Sequence, residues 1–220
     1  MHEFGHYFNN IYNKSASISM DLDETQSQGD EMMFLAHIKS FLEAQGKESS
    51  YEAIMYSRLF NALQIILLAT AVDEFEEIVY TGKYRGSDPA IKEIIADGVV
   101  ATEEYDALFE LVSEPYGLNS LFYPIYWRYV TIEAPGYYIS YAMSMIPVLT
   151  LFIKSQTEGF EAAQEAYYRL FTFTDAEEMA HPDMMGDLIV DASFSDVLHY
   201  AGLTTPFEEQ TYKALADLLK

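Results

Sequence analysis

The sequence predicts an all-α protein, a multi-helix domain without a sheet. Half of its residues are hydrophobic, yet the strict apolar–polar alternation of half-buried strands is nearly absent. Helix punctuation recurs instead. Asp88 followed by Pro89 is typical of a helix start, because proline fits the first turn and aspartate caps it. Gly46 and Gly82 follow long apolar-periodic segments, as glycines that end helices do.

The elements follow from these signals in chain order. The first helix carries HEFGH at residues 2–6. In the second, Asp23 is the predicted N-cap, and the helix runs to about Gly46. Ser49 and Glu52 predict a capping box for a long third helix that ends near Gly82. Later helices are predicted from Asp88-Pro89, at about 136–153, at about 160–172 and from Pro206, with a break at Pro115-Tyr116-Gly117.

Charge and cysteine content exclude several classes of function. The formal charge is −23, with only 12 Lys and Arg, which argues against nucleic acid and anionic membrane surfaces as partners. The acidity favours cationic or neutral partners, or serves solubility alone. The absence of cysteine removes disulfides, thiolate metal sites and a cysteine nucleophile, and fits a reducing cytoplasm. Any metal must therefore be held by His, Asp or Glu.

Two runs are apolar enough to be tested as membrane spans. They cover residues 65–72 and 141–153, the second interrupted by Pro147. Both are shorter than the ~20 residues that a bilayer requires. Buried helices and a soluble, cytoplasmic protein are therefore expected.

The pentapeptide HEFGH has the H-E-x-x-H pattern of zinc metallopeptidases. His2 and His6 are four residues apart on one helical face and can share one Zn²⁺. Glu3 lies about 100° around the helix, close enough to a water at the metal to act as general base. Any amphipathic helix can produce this pattern, so the motif alone leaves a chance match open.

A second motif follows about two dozen residues later, as D-x-x-E-x-x-S-Q-x-x-E. Together the two motifs resemble the thimet oligopeptidase and oligoendopeptidase F family of zinc metallopeptidases. The resemblance implies one zinc ion per chain, with Glu31 as third ligand beside His2 and His6, in a zincin-like catalytic domain. We expect a Glu31 oxygen within about 5 Å of a ring nitrogen of either histidine. The residues of the second motif are Asp21, Glu24, Ser27, Gln28 and Glu31.

Other acidic residues and histidines near this set have different expected roles. Asp21 and Glu24 either accept hydrogen bonds from the outer ring nitrogens of the ligand histidines or complement the dipole of the helix start. His37 lies roughly 240° around the helix from Glu31 and is not expected to be a ligand. His181 and His199 are expected to be surface or packing residues.

A tyrosine-rich segment, APGYYISYAMS, resembles the second signature of the same family. The resemblance implies that Tyr138 and Tyr141, with Tyr137 as a weaker third choice, donate hydrogen bonds to the developing oxyanion. A helix-packing aromatic core is the alternative.

The chain departs from the family pattern at two positions. Val130 stands where the family usually has histidine, which puts catalytic efficiency in doubt. Neighbouring Tyr129 is a substitute donor to be tested. Gly136 stands where an aromatic residue is usual.

The resemblance covers residues 1–220 and implies the C-terminal catalytic portion of such a peptidase, without its upstream lobe. The expected function is a zinc metalloendopeptidase that hydrolyses oligopeptides, with the missing N-terminal region as a further partner. One alternative is a truncated metal-binding helical fragment without turnover. Another is a helical interaction module without metal.

Overall fold

The computed structural model describes residues 1–12, 19–99, 101–118, 126–180 and 193–218, with backbone only for residues 10 and 174–180. Every regular element in these ranges is helical and none is a strand, so the predicted all-α class is confirmed. The α-helices are α1 His2–Tyr12, α2 Met20–Glu43, α3 Glu48–Thr81, α4 Pro89–Asp97, α5 Thr102–Ser113, α6 Trp127–Glu133, α7 Ile139–Thr157, α8 Phe160–Ala180, α9 Phe194–Tyr200 and α10 Glu209–Leu218, with a 3₁₀ turn at Glu114–Tyr116.

The chain divides into two compact units. Unit 1 comprises Met1–Ala62 and Met143–Lys220, and unit 2 comprises Leu63–Ala142. The borders therefore fall inside α3 and inside α7. Each unit is described by itself.

In unit 1, α2 packs against both α1 and α8, and α8 packs against α9. Its core joins Leu22 of α2 to Leu151, Leu170 and Leu198 on the later helices. Because neighbours surround the N-terminal half of α2, this half is buried on nearly all sides. Its low amphipathic character follows from that position, since polar and apolar residues are buried alike and do not separate onto two faces.

In unit 2, an aromatic core lies beneath the helices α4 and α5, which pack together. Phe75 meets Phe109 edge to face at 5.2 Å and Trp127 at 5.6 Å between ring centroids. The indole Nε1 of Trp127 donates to Asp106 at 2.8 Å, and Arg128 pairs with the same carboxylate. A buried aromatic cluster with its one indole donor satisfied is the expected solution for such side chains.

The start of α2 differs from the prediction. The N-cap is Ser19, whose hydroxyl accepts from the backbone amide of Leu22 at 3.3 Å, and the predicted cap Asp23 lies inside the helix. The side chain of Asp23 turns toward His6 and Asn9. Serine and aspartate are about equally good caps, so residue type alone placed the start four residues late.

The start of α3 is also earlier than predicted. The predicted capping box of Ser49 and Glu52 is wrong, because α3 begins at Glu48 and both residues lie within it. A turn through Gly46, whose φ is +66°, lets Lys47 donate its amide to Leu42. This turn closes α2 and leads directly into α3. The predicted end before Gly82 is confirmed.

Among the described residues, α3 alone has the length and composition of a helix that could cross a membrane. Its most apolar 18-residue window has a mean hydropathy of 1.4, and 22% of that window is buried. Core helices of soluble proteins pass the same test, and one face of α3 carries the buried residues Leu68, Val72 and Phe75.

Candidate metal centre

Gly5 brings α1 into direct contact with α2. A Cβ atom at this position would lie 2.7 Å from the carbonyl oxygen of Gln26 and would collide with the backbone of Ser27. Those neighbours are backbone atoms, which cannot swing aside as a flexible side chain can. The third residue between the two histidines must therefore be small for α1 to meet α2 here.

This close approach assembles His2, His6 and Glu24. One ligand atom from each of the three side chains lies within 4.8 Å of the others. Nε2 of His2 is 3.7 Å from Oε2 of Glu24. Ligand atoms that share a tetrahedral zinc at roughly 2.05 Å lie about 3.3 Å apart. The group thus fits a metal after small side-chain rotations.

The Glu24 carboxylate is buried, with 4% of the residue exposed. Ser27 donates its hydroxyl to Oε2 of Glu24 at 3.4 Å. An ionised carboxylate is costly to bury without a compensating charge. A cation shared with two imidazoles provides that compensation, so the donor set fits a divalent metal chemically as well as geometrically.

Outside this group, His6 has a carboxylate neighbour of its own. Its Nδ1 lies 3.0 Å from Oδ1 of Asp23, and the same oxygen accepts a hydrogen bond from Asn9 at 2.9 Å. This bond leaves Nε2 as the ring nitrogen for a metal. The sequence suggested such a role for Asp21 and Glu24, with a helix-dipole role as the alternative. Because α2 begins earlier than predicted, Asp23 faces α1 instead.

Glu31 lies beside His2, as the sequence predicts. Its Oε1 is 3.7 Å from Nδ1 of His2, inside the expected separation of about 5 Å. Its other oxygen, Oε2, accepts from Arg58 of α3 at 3.1 Å. Glu31 is thus near the nitrogen of His2 that points away from Glu24. Its assignment as the third zinc ligand stays a prediction.

Five consecutive polar residues, Glu24–Gln28, are buried in α2. Gln26 donates to the backbone of Leu170 at 2.8 Å, and Tyr167 donates its hydroxyl to the carbonyl oxygen of Gln26 at 2.8 Å. Ser144 donates to Gln28 at 3.2 Å. These bonds hold the helix beneath the site from the sides that face α8 and α7.

The remaining candidates of unit 1 lie as follows. Glu3, the predicted general base, is exposed one residue beyond His2. The ring of His37 packs against that of Phe160, with 5.7 Å between ring centroids, and Nε2 of His199 lies 2.9 Å from Oε1 of Glu208. His181 lies outside the described residues.

The predicted oxyanion donors belong to unit 2, where they form a tyrosine cluster of Tyr126, Tyr137, Tyr138 and Tyr141. The hydroxyls of Tyr126 and Tyr138 are 2.8 Å apart, and Tyr141 donates to Tyr137 at 3.2 Å. The rings of Tyr138 and Tyr141 meet edge to face at 5.2 Å. Burial and the bond with Tyr126 raise the pKa of Tyr138 well above its usual value, so its phenol is neutral at pH 7.

The two positions at which the chain departs from the family pattern both lie in unit 2. Val130 is buried in the aromatic core, and adjacent Tyr129 is 61% exposed. Gly136 has a φ of +70° and donates its amide to the buried carboxylate of Glu76 at 2.9 Å. A positive φ favours glycine over an aromatic residue.

Arg58, Asn9 and Asp23 are site residues that the sequence reasoning missed. The sequence does contain a feature that could have identified Arg58, since it is the sole basic residue of the 34-residue helix α3. In a chain with so few cations, an arginine on a long apolar helix indicates a specific acidic neighbour.

No family model, no curated protein and no solved structure matches the chain. The resemblance to the oligopeptidase family therefore stays a prediction from the two motifs and the tyrosine segment.

Proposed function

We propose that the chain is a zinc metallopeptidase acting on oligopeptides, with His2, His6 and Glu24 as the metal ligands in a zincin-like arrangement. The observation that carries the proposal is the buried Glu24 carboxylate beside two histidines of an H-E-x-x-H helix. Two imidazoles and one carboxylate form a common protein ligand set of catalytic zinc sites, which keep the fourth position open.

Zinc, when bound, supplies a Lewis acid and lowers the pKa of a coordinated water. The chain's own residues have separate tasks. Glu3 accepts the proton of the attacking water and transfers it to the leaving amine. Asp23 keeps the proton of His6 on Nδ1, which directs Nε2 toward the metal. The tyrosines of unit 2 remain the candidates for donors to the oxyanion.

The choice of Glu24 over Glu31 follows from the burial of each carboxylate and from the nitrogen of His2 that each approaches. Glu31 is engaged by Arg58 and approaches the outer nitrogen of His2. Glu24 approaches Nε2 of the same ring and is the more deeply buried of the two. A metal between the two helices would therefore take Glu24.

The alternative is a metal-binding protein without turnover. It is favoured by Val130, which packs in the core where the resemblance implies a histidine. Peptide cleavage by the zinc-loaded protein distinguishes the two functions, because only the peptidase should cleave.

The experiment combines metal analysis with cleavage of a quenched fluorescent peptide. Purified chain is stripped with a chelator, reloaded with one equivalent of zinc, and assayed beside the Glu3→Gln variant. Zinc at one per chain with cleavage that Glu3→Gln abolishes supports the peptidase. Zinc without cleavage supports the alternative, and no zinc binding at all refutes both.

A further inference from the structure

Arg58 and Glu31 connect α3 to the metal-binding face of α1. Nη1 of Arg58 lies 3.1 Å from Oε2 of Glu31, and the other carboxylate oxygen lies 3.7 Å from Nδ1 of His2. One carboxylate thus stands between a guanidinium and an imidazole. The contact from Glu31 to His2 is longer than a hydrogen bond, so Arg58 is the residue that holds this carboxylate in place.

The two ring nitrogens of His2 face different carboxylates. Nε2 lies toward Glu24 and Nδ1 toward Glu31, each at 3.7 Å. A metal-bound imidazole usually donates its outer N–H to a carboxylate, and this bond fixes both tautomer and ring orientation. Asp23 holds this position for His6. Glu31 is the carboxylate on the corresponding side of His2, at 3.7 Å from Nδ1.

We propose that Arg58 and Glu31 form a positioning pair that orients His2 for metal binding. The inference rests on the metal centre proposed above. A third of the side chain of His2 is exposed. Its ring therefore needs an anchor outside its own helix. Arg58 provides it through Glu31, and neither residue binds the metal.

Long-range charge and local positioning predict opposite effects for Arg58→Met. Removing a positive charge makes the surroundings of the site more negative, which by Coulomb attraction alone would tighten zinc binding. Loss of positioning would weaken it, because Glu31 would no longer be held against His2. The sign of the change in zinc affinity decides between the two effects.

The experiment measures zinc affinity by competition with a chromophoric chelator. The variants are Arg58→Met, Glu31→Gln and the double variant. Arg169→Met and Glu165→Gln are matched controls, because they remove the same side chains from an exposed ion pair of 3.1 Å on α8. Circular dichroism of each metal-free variant establishes that it is folded. The visible spectrum of the Co²⁺ form reports the coordination geometry independently of turnover.

We expect Arg58→Met and Glu31→Gln each to weaken zinc binding about tenfold, the lower end of what outer partners of metal ligands contribute. The double variant should bind no more weakly than Glu31→Gln, because Arg58 acts through Glu31. The Co²⁺ spectrum should keep its four-coordinate form in all three. The controls should match the parent.

Three results would overturn the inference. Zinc affinity of Arg58→Met equal to or above that of the parent would show that no positioning occurs. A changed Co²⁺ coordination number in Glu31→Gln would show that Glu31 is itself a ligand. Absence of zinc binding by the parent chain would remove the proposed function as well, whereas the first two results leave that function standing.

Discussion

The carboxylate of Glu24, with 4% of the residue exposed, lies 3.7 Å from Nε2 of His2. The two residues belong to different helices, and Gly5 allows those helices to touch at this level. A buried carboxylate therefore lies beside two imidazoles, whose ring nitrogens are able to bind a transition metal.

Glu24→Gln should weaken zinc binding about 100-fold or more, since the ligands of a zinc site together supply roughly 10–16 kcal/mol. The metal-free variant should be as stable as the parent or more stable, because a buried charge is removed. Chelator competition and urea unfolding measure the two effects. Glu43→Gln, exposed at the end of the same helix, is the control. If Glu24→Gln keeps its zinc and Glu31→Gln loses it, Glu31 is the third ligand.

Glu3→Gln should keep the zinc stoichiometry and lose peptide hydrolysis by at least about 10²–10⁴-fold, the contribution of a general base. The amide cannot accept the proton of the water. Metal analysis and cleavage of a fluorescent peptide are compared with those of Glu48→Gln, an exposed change in another helix. Cleavage at the parent's rate would exclude Glu3 as the base.

Gly5→Ala should lower both stability and zinc affinity, because the added methyl group meets the backbone of α2. Overpacking of this kind costs about 1–3 kcal/mol, against a helix-propensity gain of about 1 kcal/mol. Urea unfolding and zinc competition measure the result. Gly46→Ala is the comparison: its positive φ strains alanine, but it should leave zinc affinity unchanged. Unaltered zinc binding in Gly5→Ala would contradict the close contact.

Tyr138→Phe and Tyr141→Phe should lower kcat by about 10²–10³-fold if their hydroxyls stabilise an oxyanion, with zinc affinity unchanged. Because the pKa of Tyr138 is raised by burial, its hydroxyl should remain a donor throughout the neutral range. Tyr168→Phe, at an exposed position, controls for loss of a hydroxyl. Equal kcat values in all three variants would assign the tyrosines to packing alone.

Glu76→Gln should stabilise the chain at pH 7 and reduce its pH dependence. Burial raises the pKa of Glu76 above its unfolded value, so the folded state binds this proton more tightly than the unfolded state. Stability therefore rises in the parent as pH falls through the folded pKa, and the advantage of Glu76→Gln shrinks. Urea unfolding from pH 5 to pH 8 measures this, with exposed Glu103→Gln as control. A constant difference between the parent and Glu76→Gln would contradict it.

The sequence predicted the helical class and the shared face of His2 and His6, because both depend on local periodicity. The resemblance assigned Glu31 as the third ligand, and helical periodicity alone does not distinguish Glu31 from Glu24. Seven residues complete almost two full turns, so both side chains project from the same side of α2, with their Cα atoms about 10 Å apart along its axis. Which turn meets α1 is set by the contact of Gly5 with Ser27, a tertiary fact that periodicity does not contain.

Arg58 illustrates a second limit of the sequence. Its partner Glu31 lies on α2, beyond the turn at Gly46 that reverses the chain. Ion pairs between helices depend on rotation about each axis, and an error of one residue turns a side chain by about 100°. Because the start of α2 was predicted four residues too late, the direction of the Asp23 side chain was likewise not predicted.

The division of the proposed ligand set between α1 and α2 would make metal binding a reporter of folding. An unfolded chain does not hold His2, His6 and Glu24 together, so zinc should bind the folded state selectively. By mass action, each tenfold rise in free zinc above the dissociation constant should add about 1.4 kcal/mol to the free energy of unfolding. The midpoint of thermal denaturation should therefore climb with the logarithm of free zinc, and stop doing so in Glu24→Gln.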